Sequence, residues 1–397
     1  MSRNAASLDI AIVGGGIGGL ATAAFLAREG FRPTVYEQAP ALTAVGAGLV
    51  VAPNAARLLR RLGVFEELRA RAVKLDIGWE FRRWSDGTVL SAEDLARACE
   101  ELYGEHTYTA HRADLLDAIR GAVPDSALRL GRRVADVDLD GDRPLVRFDD
   151  GEELRPDVLI GADGIHSRVR SALGEASSAT FSGICAYRAL VPAERAPEFA
   201  RRPAQTLWLG PDHHFVHYPV SGGDLVNLVA FGPAGEYSVE SWTATATVEQ
   251  FLAEFDGWDP RLADLITAAD EPGRWALLDR EPLARWSRGR ATVLGDAAHP
   301  MFPFFAQGAA QAIEDAAVLA GCLAAQADDP AAALTRYEAL RLPRTTDVQR
   351  RSHGRAEVNH LPDGPAQLAR DEGFRAADPL VANGWLYGYD VDVALAS

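Results

Sequence analysis

Cysteine is scarce in this sequence. The 397 residues hold three (Cys99, Cys185 and Cys322), far apart, with no CxxC spacing and no histidine cluster beside them. That excludes a disulfide framework and a zinc site of ordinary spacing, and it fits reduced thiols in a cytoplasmic protein. Basic residues are short as well: 40 Lys plus Arg against 56 Asp plus Glu give a formal charge of −16. Nucleic acid and anionic membrane both reward a positive surface, so neither is expected as a partner. The first apolar run, residues 10–26, is broken by five glycines and lacks a basic segment before it, so it does not read as a signal peptide. No uninterrupted apolar stretch is expected to span a bilayer. Internal repeats and low-complexity tracts are also absent.

What remains is an ordinary globular composition, 48% hydrophobic and 24% charged, in a chain long enough for two lobes. Periodicity predicts a strand at 8–13, a helix at 20–29 and a second strand at 34–37, a βαβ opening that implies a parallel sheet. Helices are expected at 53–61 and 112–121, and strands at 134–138, 145–148 and 157–160. After about residue 180 the texture changes to aromatic-rich strands at 187–191, 205–209, 213–220 and 225–231. Gly210-Pro211-Asp212 and Ser221-Gly222-Gly223 punctuate them as hairpin loops. The α/β texture returns at 291–294, and helices dominate from Gly308 onward.

The glycine run after the first strand contains GxGxxG at Gly14, Gly16 and Gly19, with Ile17 and Gly18 inside it. Gly14 permits the tight turn, Gly16 lets backbone approach a pyrophosphate, and Gly19 lets helix pack on strand. Glu37 ends the second strand, where a carboxylate can grip a ribose diol. An acid rather than a base there implies a free 2′-hydroxyl, hence FAD or NAD.

Two further motifs follow: Gly161-Ala162-Asp163-Gly164, and Gly295-Asp296-Ala297-Ala298-His299-Pro300 with Gln307-Gly308-Ala309 after it. With these three motifs in order, the chain resembles the single-component, class A FAD-dependent aromatic hydroxylases. Within them it is most similar to the salicylate 1-hydroxylase and 6-hydroxynicotinate 3-monooxygenase branch. The likeness runs along nearly the whole chain, including His111-Arg112-Ala113-Asp114-Leu115 and His360-Leu361-Pro362-Asp363-Gly364-Pro365.

The resemblance implies an α/β fold with a Rossmann-type FAD-binding domain of the p-hydroxybenzoate hydroxylase kind. It assigns 1–75, 100–180 and 270–340 to that domain, and 76–99 and 181–269 to an inserted antiparallel-sheet substrate domain. Residues 341–397 form a C-terminal helical region. It further implies that NADH or NADPH is a transient reductant, and that O₂ adds to reduced FAD as a C4a-hydroperoxide. Oxygen then enters a small phenolic or carboxylated aromatic ring, decarboxylation being one variant. The oligomeric state is left open, a homodimer included.

Beside the glycines and Glu37, the residues assigned to the cofactor are Arg112, Asp163, Gly295, Asp296, Gly308 and Ala309. The helix from Gly308 would aim its positive end at the flavin. For the substrate, alternation sets His214, Val216 and Tyr218 on one face of the 213–220 strand and His213, Phe215 and His217 on the other. His214 and Tyr218 are the candidates for holding and deprotonating a phenol. Phe304, Phe305, Trp208 and Arg188 are the remaining pocket candidates. Three nearby histidines could suggest a metal, but no companion acid or thiol stands at ligand spacing, so none is expected.

Phe304 stands where the hydroxynicotinate branch tends to carry histidine, which weakens the case for a pyridine substrate. Plainer roles stay open: a surface ion pair for Arg112, a helix cap for Asp296, and core packing for the two phenylalanines. So do two other functions, a flavin dehydrogenase or oxidase without oxygen insertion, and a non-enzymatic NAD-binding regulator.

Overall fold

A computed structural model describes residues 8–42, 47–174, 180–235 and 245–397. The opening βαβ unit forms as its periodicity requires. Strand Ile10–Val13 is buried along its whole length, and it pairs in parallel with Thr34–Tyr36 on one side and Val158–Gly161 on the other. Arg129, Val293 and their neighbours extend this into a six-stranded sheet, parallel except at the Ser287–Arg288 edge. The helix between the first two strands spans Ile17–Arg28, three residues earlier than its apolar pattern suggests, because the glycine turn runs directly into it. Gly14 has φ +108°, and a Cβ on Gly19 would lie 1.9 Å from the Gly14 carbonyl oxygen, so helix and turn touch only because both residues are glycine.

The second sheet has seven strands. Its middle is antiparallel, Thr180–Pro192 against Leu225–Pro233, then His213–Val220, then Ala204–Gly210. The sheet departs from antiparallel order at one place: Ala204–Gly210 pairs in parallel with Ile77–Arg83, a strand brought in from far upstream. Gly273–Asp279 is bonded to the other edge, although its sequence position suggested the nucleotide region. Alternation gives the sheet two different faces. One carries Trp208, Phe215 and Leu228 beneath the helices Val248–Glu254 and Pro260–Thr267. The other carries Leu207, Val216, Tyr218 and Phe231, and Phe302 and Phe304 pack onto it.

A small antiparallel sheet of Gly48–Val51, Tyr108–His111 and Val73–Lys74 fills the space between these units. Among the described residues, helix Gly308–Ala325 is long and apolar enough to cross a membrane, although Glu314 and Asp315 interrupt its apolar run. It lies instead in the interior against Ile17–Arg28 and the 30-residue helix Pro330–Asn359, with Glu314 and Asp315 fully buried.

Those two acids are held by Arg341, itself wholly buried. Its Nε donates to Asp315 Oδ1 at 2.7 Å and its Nη1 to Glu314 Oε2 at 2.6 Å. Burial opposes ionisation of both carboxyls, but the charges beside them hold both below the usual carboxylate range. Removing one member of such a group leaves the others charged and dry. Arg341→Met is therefore expected to cost about 3–5 kcal/mol, read as a lower thermal midpoint and weaker flavin retention. An unchanged midpoint would show that the cluster is not stabilising.

Candidate active site

The ends of the parallel strands open into two cavities that share Gly16 and Ala162 in their walls. The larger, about 860 Å³, is bordered by Gly14, Tyr36, Glu37, Arg132, Asp163 and Arg168. The smaller, about 400 Å³, lies between the two main sheets. Gly16 sits where they meet, and a Cβ built on it would have nothing within 4 Å. The helix that Gly16 opens has no side-chain cap and no acid in its first turn, and the same is true of the helix starting at Gly308. Two helix N-termini thus face cavity space with free N–H donors, a donor set suited to anionic and electron-rich groups.

Glu37 borders the larger cavity, and its carboxylate also braces the turn. It accepts the Gly15 N–H at 2.6 Å and the Ala39 N–H at 2.8 Å. A carboxylate has about four acceptor positions, so it can take further donors. Asp163 is committed differently. Its oxygens accept from Ser167 Oγ at 2.5 Å and from the Arg168 N–H at 2.7 Å, capping the helix Arg168–Ala172. The smaller cavity collects Ile17, Gly18, Arg112, Gly295, Asp296, Gly308 and Ala309. Arg112 enters it from the start of helix Arg112–Gly121, with its own N–H bonded to the Ala47 carbonyl at 3.1 Å. A two-part cleft with a glycine waist, an acid over one half and helix dipoles at both parts matches the shape and donor needs of a dinucleotide with a second ring system.

The floor of the smaller cavity is the face of the seven-stranded sheet that carries Leu207, Val216, Tyr218 and Phe231. Arg188, Val229, Val216 and Leu207 form one cross-strand row of it. Phe231 and His214 lie in the row on one side, and Tyr218 and Gln205 border the cavity on the other. His214 and Tyr218 therefore share a face, but four residues of strand separate them by about 13 Å. They stand at opposite ends of the floor instead of forming one polar end together. His213 and His217 face away, so the three histidines do not converge.

At the Tyr218 end, the ring lies against Gly48, whose N–H donates to Asn227 Oδ1 at 2.8 Å. Burial pushes the Tyr218 phenol up to about 12, with Arg188 opposing, so it is a neutral donor near pH 7. Burial likewise lowers Arg188 to about 10; Tyr218 opposes this and Arg112 adds to it, and the guanidinium stays charged. Its carbon lies 4.5 Å from the Trp275 ring centre. At the other end, His214 stacks on Phe231 at 4.6 Å and meets the edge of Phe304 at 5.1 Å. Burial, then His360, Arg355 and His213, hold its pKa well below the usual histidine value, so the imidazole is neutral.

Two expected pocket residues lie elsewhere. Trp208 turns to the opposite face of its strand, against Phe199 and beneath Arg82 and Arg261, because its neighbour Leu207 takes the cavity side. Phe305 packs between Trp79 and Trp385. Pro303–Phe305 is a single 3₁₀ turn, in which successive side chains diverge by about 120°, so Phe304 borders the cavity and Phe305 does not. Sequence reasoning passed over Gln205, Leu207, Val229 and Phe231, which alternation from Arg188 and His214 would have found once the strand pairing was known.

The family model described as "FAD binding domain" matches residues 7–352. A 3-amino-4-hydroxybenzoate 2-monooxygenase of Streptomyces platensis is 43% identical over 381 residues, covering 96% of each chain. A 6-hydroxynicotinate 3-monooxygenase of Pseudomonas fluorescens is 37% identical, covering 96% of this chain and 95% of its own. Among solved structures, a salicylate hydroxylase substrate complex is similar with a TM-score of 0.84 at 28% identity, covering 99% of this chain and 98% of that one. Klebsiella pneumoniae HpxO complexed with FAD and uric acid also scores 0.84 at 28% identity, covering 100% and 99%. By these likenesses, which run along nearly its whole length, this chain is a member of the FAD-binding-domain family of aromatic-ring monooxygenases.

Proposed function

We propose that this monooxygenase hydroxylates a small aromatic ring bearing both a carboxylate and a phenol-like hydroxyl. The observation that carries the reading is the polarity of the smaller cavity: a half-buried cation, Arg188, borders an apolar floor that has a neutral imidazole, His214, at one end. The similar proteins named for 3-amino-4-hydroxybenzoate, 6-hydroxynicotinate and 3-hydroxybenzoate support it, since each name joins a carboxylate to an oxygenated ring.

FAD would be held by Gly14, Gly16 and Gly19 at the waist, Glu37 over its ribose, and Arg112, Asp296 and Gly308 around its ring. When bound, it supplies hydride acceptance from NAD(P)H and activation of O₂. The protein's own residues do the rest. Arg188 takes the carboxylate, with Tyr218 donating beside it. Phe231 and Phe304 flank the ring and exclude water. His214 accepts the hydroxyl proton, because a phenolate is far more nucleophilic than a phenol.

The reconstituted protein is expected to oxidise NADH or NADPH at least tenfold faster with 3-amino-4-hydroxybenzoate or 3-hydroxybenzoate than without. The product should be heavier by one oxygen, and phenol or 2-aminophenol should be much poorer. If no carboxylated phenol stimulates oxidation, the substrate class is wrong.

Losing a charged hydrogen bond costs about 1.5–3 kcal/mol, so Arg188→Met should raise KM for the carboxylate roughly 10- to 150-fold. Flavin content should hold, and the carboxyl-free analogues should show no change. Equal losses for both ligand types would assign Arg188 to the fold. Phe304→Ala should divert reducing equivalents to hydrogen peroxide, measured as product formed per NAD(P)H consumed. Wild-type coupling in that variant would make Phe304 core packing.

A further inference from the structure

His360 belongs to the His360-Leu361-Pro362-Asp363-Gly364-Pro365 motif, to which the chemistry above gives no part. It ends the helix Pro330–Asn359, anchored by its own N–H to the Ala356 carbonyl at 3.0 Å. Its carbonyl accepts the Asp212 N–H at 3.0 Å, which ties it to the hairpin preceding His214. Its Nε2 lies 2.6 Å from His214 Nδ1. The two rings are tilted 41° with centres 4.8 Å apart, and the His360 ring is also near Phe304. His214 is buried, while His360 is partly exposed. The pair therefore spans the wall between cavity and surface. His214 also borders the smaller cavity, and its contact with His360 is made through Nδ1, which leaves Nε2 for a ligand.

The surroundings make His214 a poor place to leave a proton. Burial disfavours the imidazolium, and the charges that reach it are cationic or can become so: His360, Arg355 and His213. Arg355 is held on ring faces, 4.9 Å from the Phe81 centre and 5.4 Å from that of Trp79. Glu254 on the far side of His213 is engaged by His213 at 3.2 Å and by Arg274. Burial and then His213 also lower His360, to about 4, so both rings are neutral near pH 7. A base in such a place works if the proton passes through it and neither ring ends up charged.

We propose that His360 is a positioning residue that relays the substrate proton from His214 to solvent. The step begins with protons on Nδ1 of both rings. His214 Nε2 takes the hydroxyl proton as the phenolate forms, His214 Nδ1 gives its proton to His360 Nε2, and His360 Nδ1 gives its own to water. One proton leaves, no ring is charged, and both have changed tautomer. The reverse sequence, from water to His360 to His214, protonates the product phenolate and restores the starting tautomers. The inference rests on His214 acting as the base.

The test uses the FAD-loaded enzyme, 3-amino-4-hydroxybenzoate as ligand and a pH indicator in weak buffer, followed by rapid mixing. Wild type should release a proton on binding. His360→Gln keeps a hydrogen-bonding side chain beside His214 but cannot relay, so release and hydroxylation should slow at least tenfold, with flavin content and ligand Kd little changed. Added imidazole should restore the rate in His360→Ala. In the unmodified enzyme, a proton inventory of the release step should be curved, as two or more moving protons require.

Wild-type release in His360→Gln, or a linear inventory, would overturn the relay while leaving the base in place if His214→Asn still abolishes release. Wild-type release in His214→Asn would remove the base assignment, and the relay with it.

Discussion

The carboxylate of Asp315 is the contact on which the site's geometry depends. Its Oδ2 accepts the Gly295 N–H at 3.0 Å and faces His299 Nε2 at 2.6 Å, while Oδ1 takes Arg341 Nε. One buried charge therefore holds the Gly295-Asp296 loop, the helix that begins at Gly308 and the long helix behind it in one arrangement. Glu314 extends the hold to Asn54 Nδ2 at 2.7 Å and so to helix Pro53–Leu62. Charges this deep are costly to dehydrate, and they persist because each finds an opposite charge or a fixed donor. The result is that Asp296 and the helix N-terminus at Gly308 are fixed relative to each other before any ligand arrives.

A second constraint is the dryness of the sheet face under the cavity. Burial raises Tyr218 and lowers His214 and Arg188, the same cause acting on groups of different charge type. Tyr218 and His214 are kept neutral and Arg188 stays cationic, so near pH 7 the floor offers one positive charge, one hydroxyl donor and one imidazole acceptor. Val216 lies between His214 and Tyr218, and the polarity of the floor runs along the strands because alternate residues share a face.

The sequence by itself determined the nucleotide half of the molecule. The turn at Gly14 to Gly19 and the acid at Glu37 act within a single βαβ unit, whose geometry is local and leaves little freedom once glycine occupies the turn. Alternation within one strand also sufficed to separate His214 and Tyr218 from His213 and His217. Identity of a face is a property of the strand alone.

What only the tertiary structure decided is which groups meet across strands and helices. The strand Ile77–Arg83 joins its sheet in parallel from about 127 residues upstream, by the pairing of Ala204 with Ile77 at the first register and Leu209 with Arg83 at the last. Trp208 looked like a pocket residue until that sheet's far face gained its two covering helices. The distance between His214 and Tyr218 depends on the rise of a strand, but their separate partners, Phe304 and His360 for one and Gly48 and Arg188 for the other, depend on docking. Contacts between residues 146 positions apart, such as His214 with His360, leave no periodic trace in a sequence. They arise when packing of the apolar faces brings remote segments together, and burial then sets the charge each group carries.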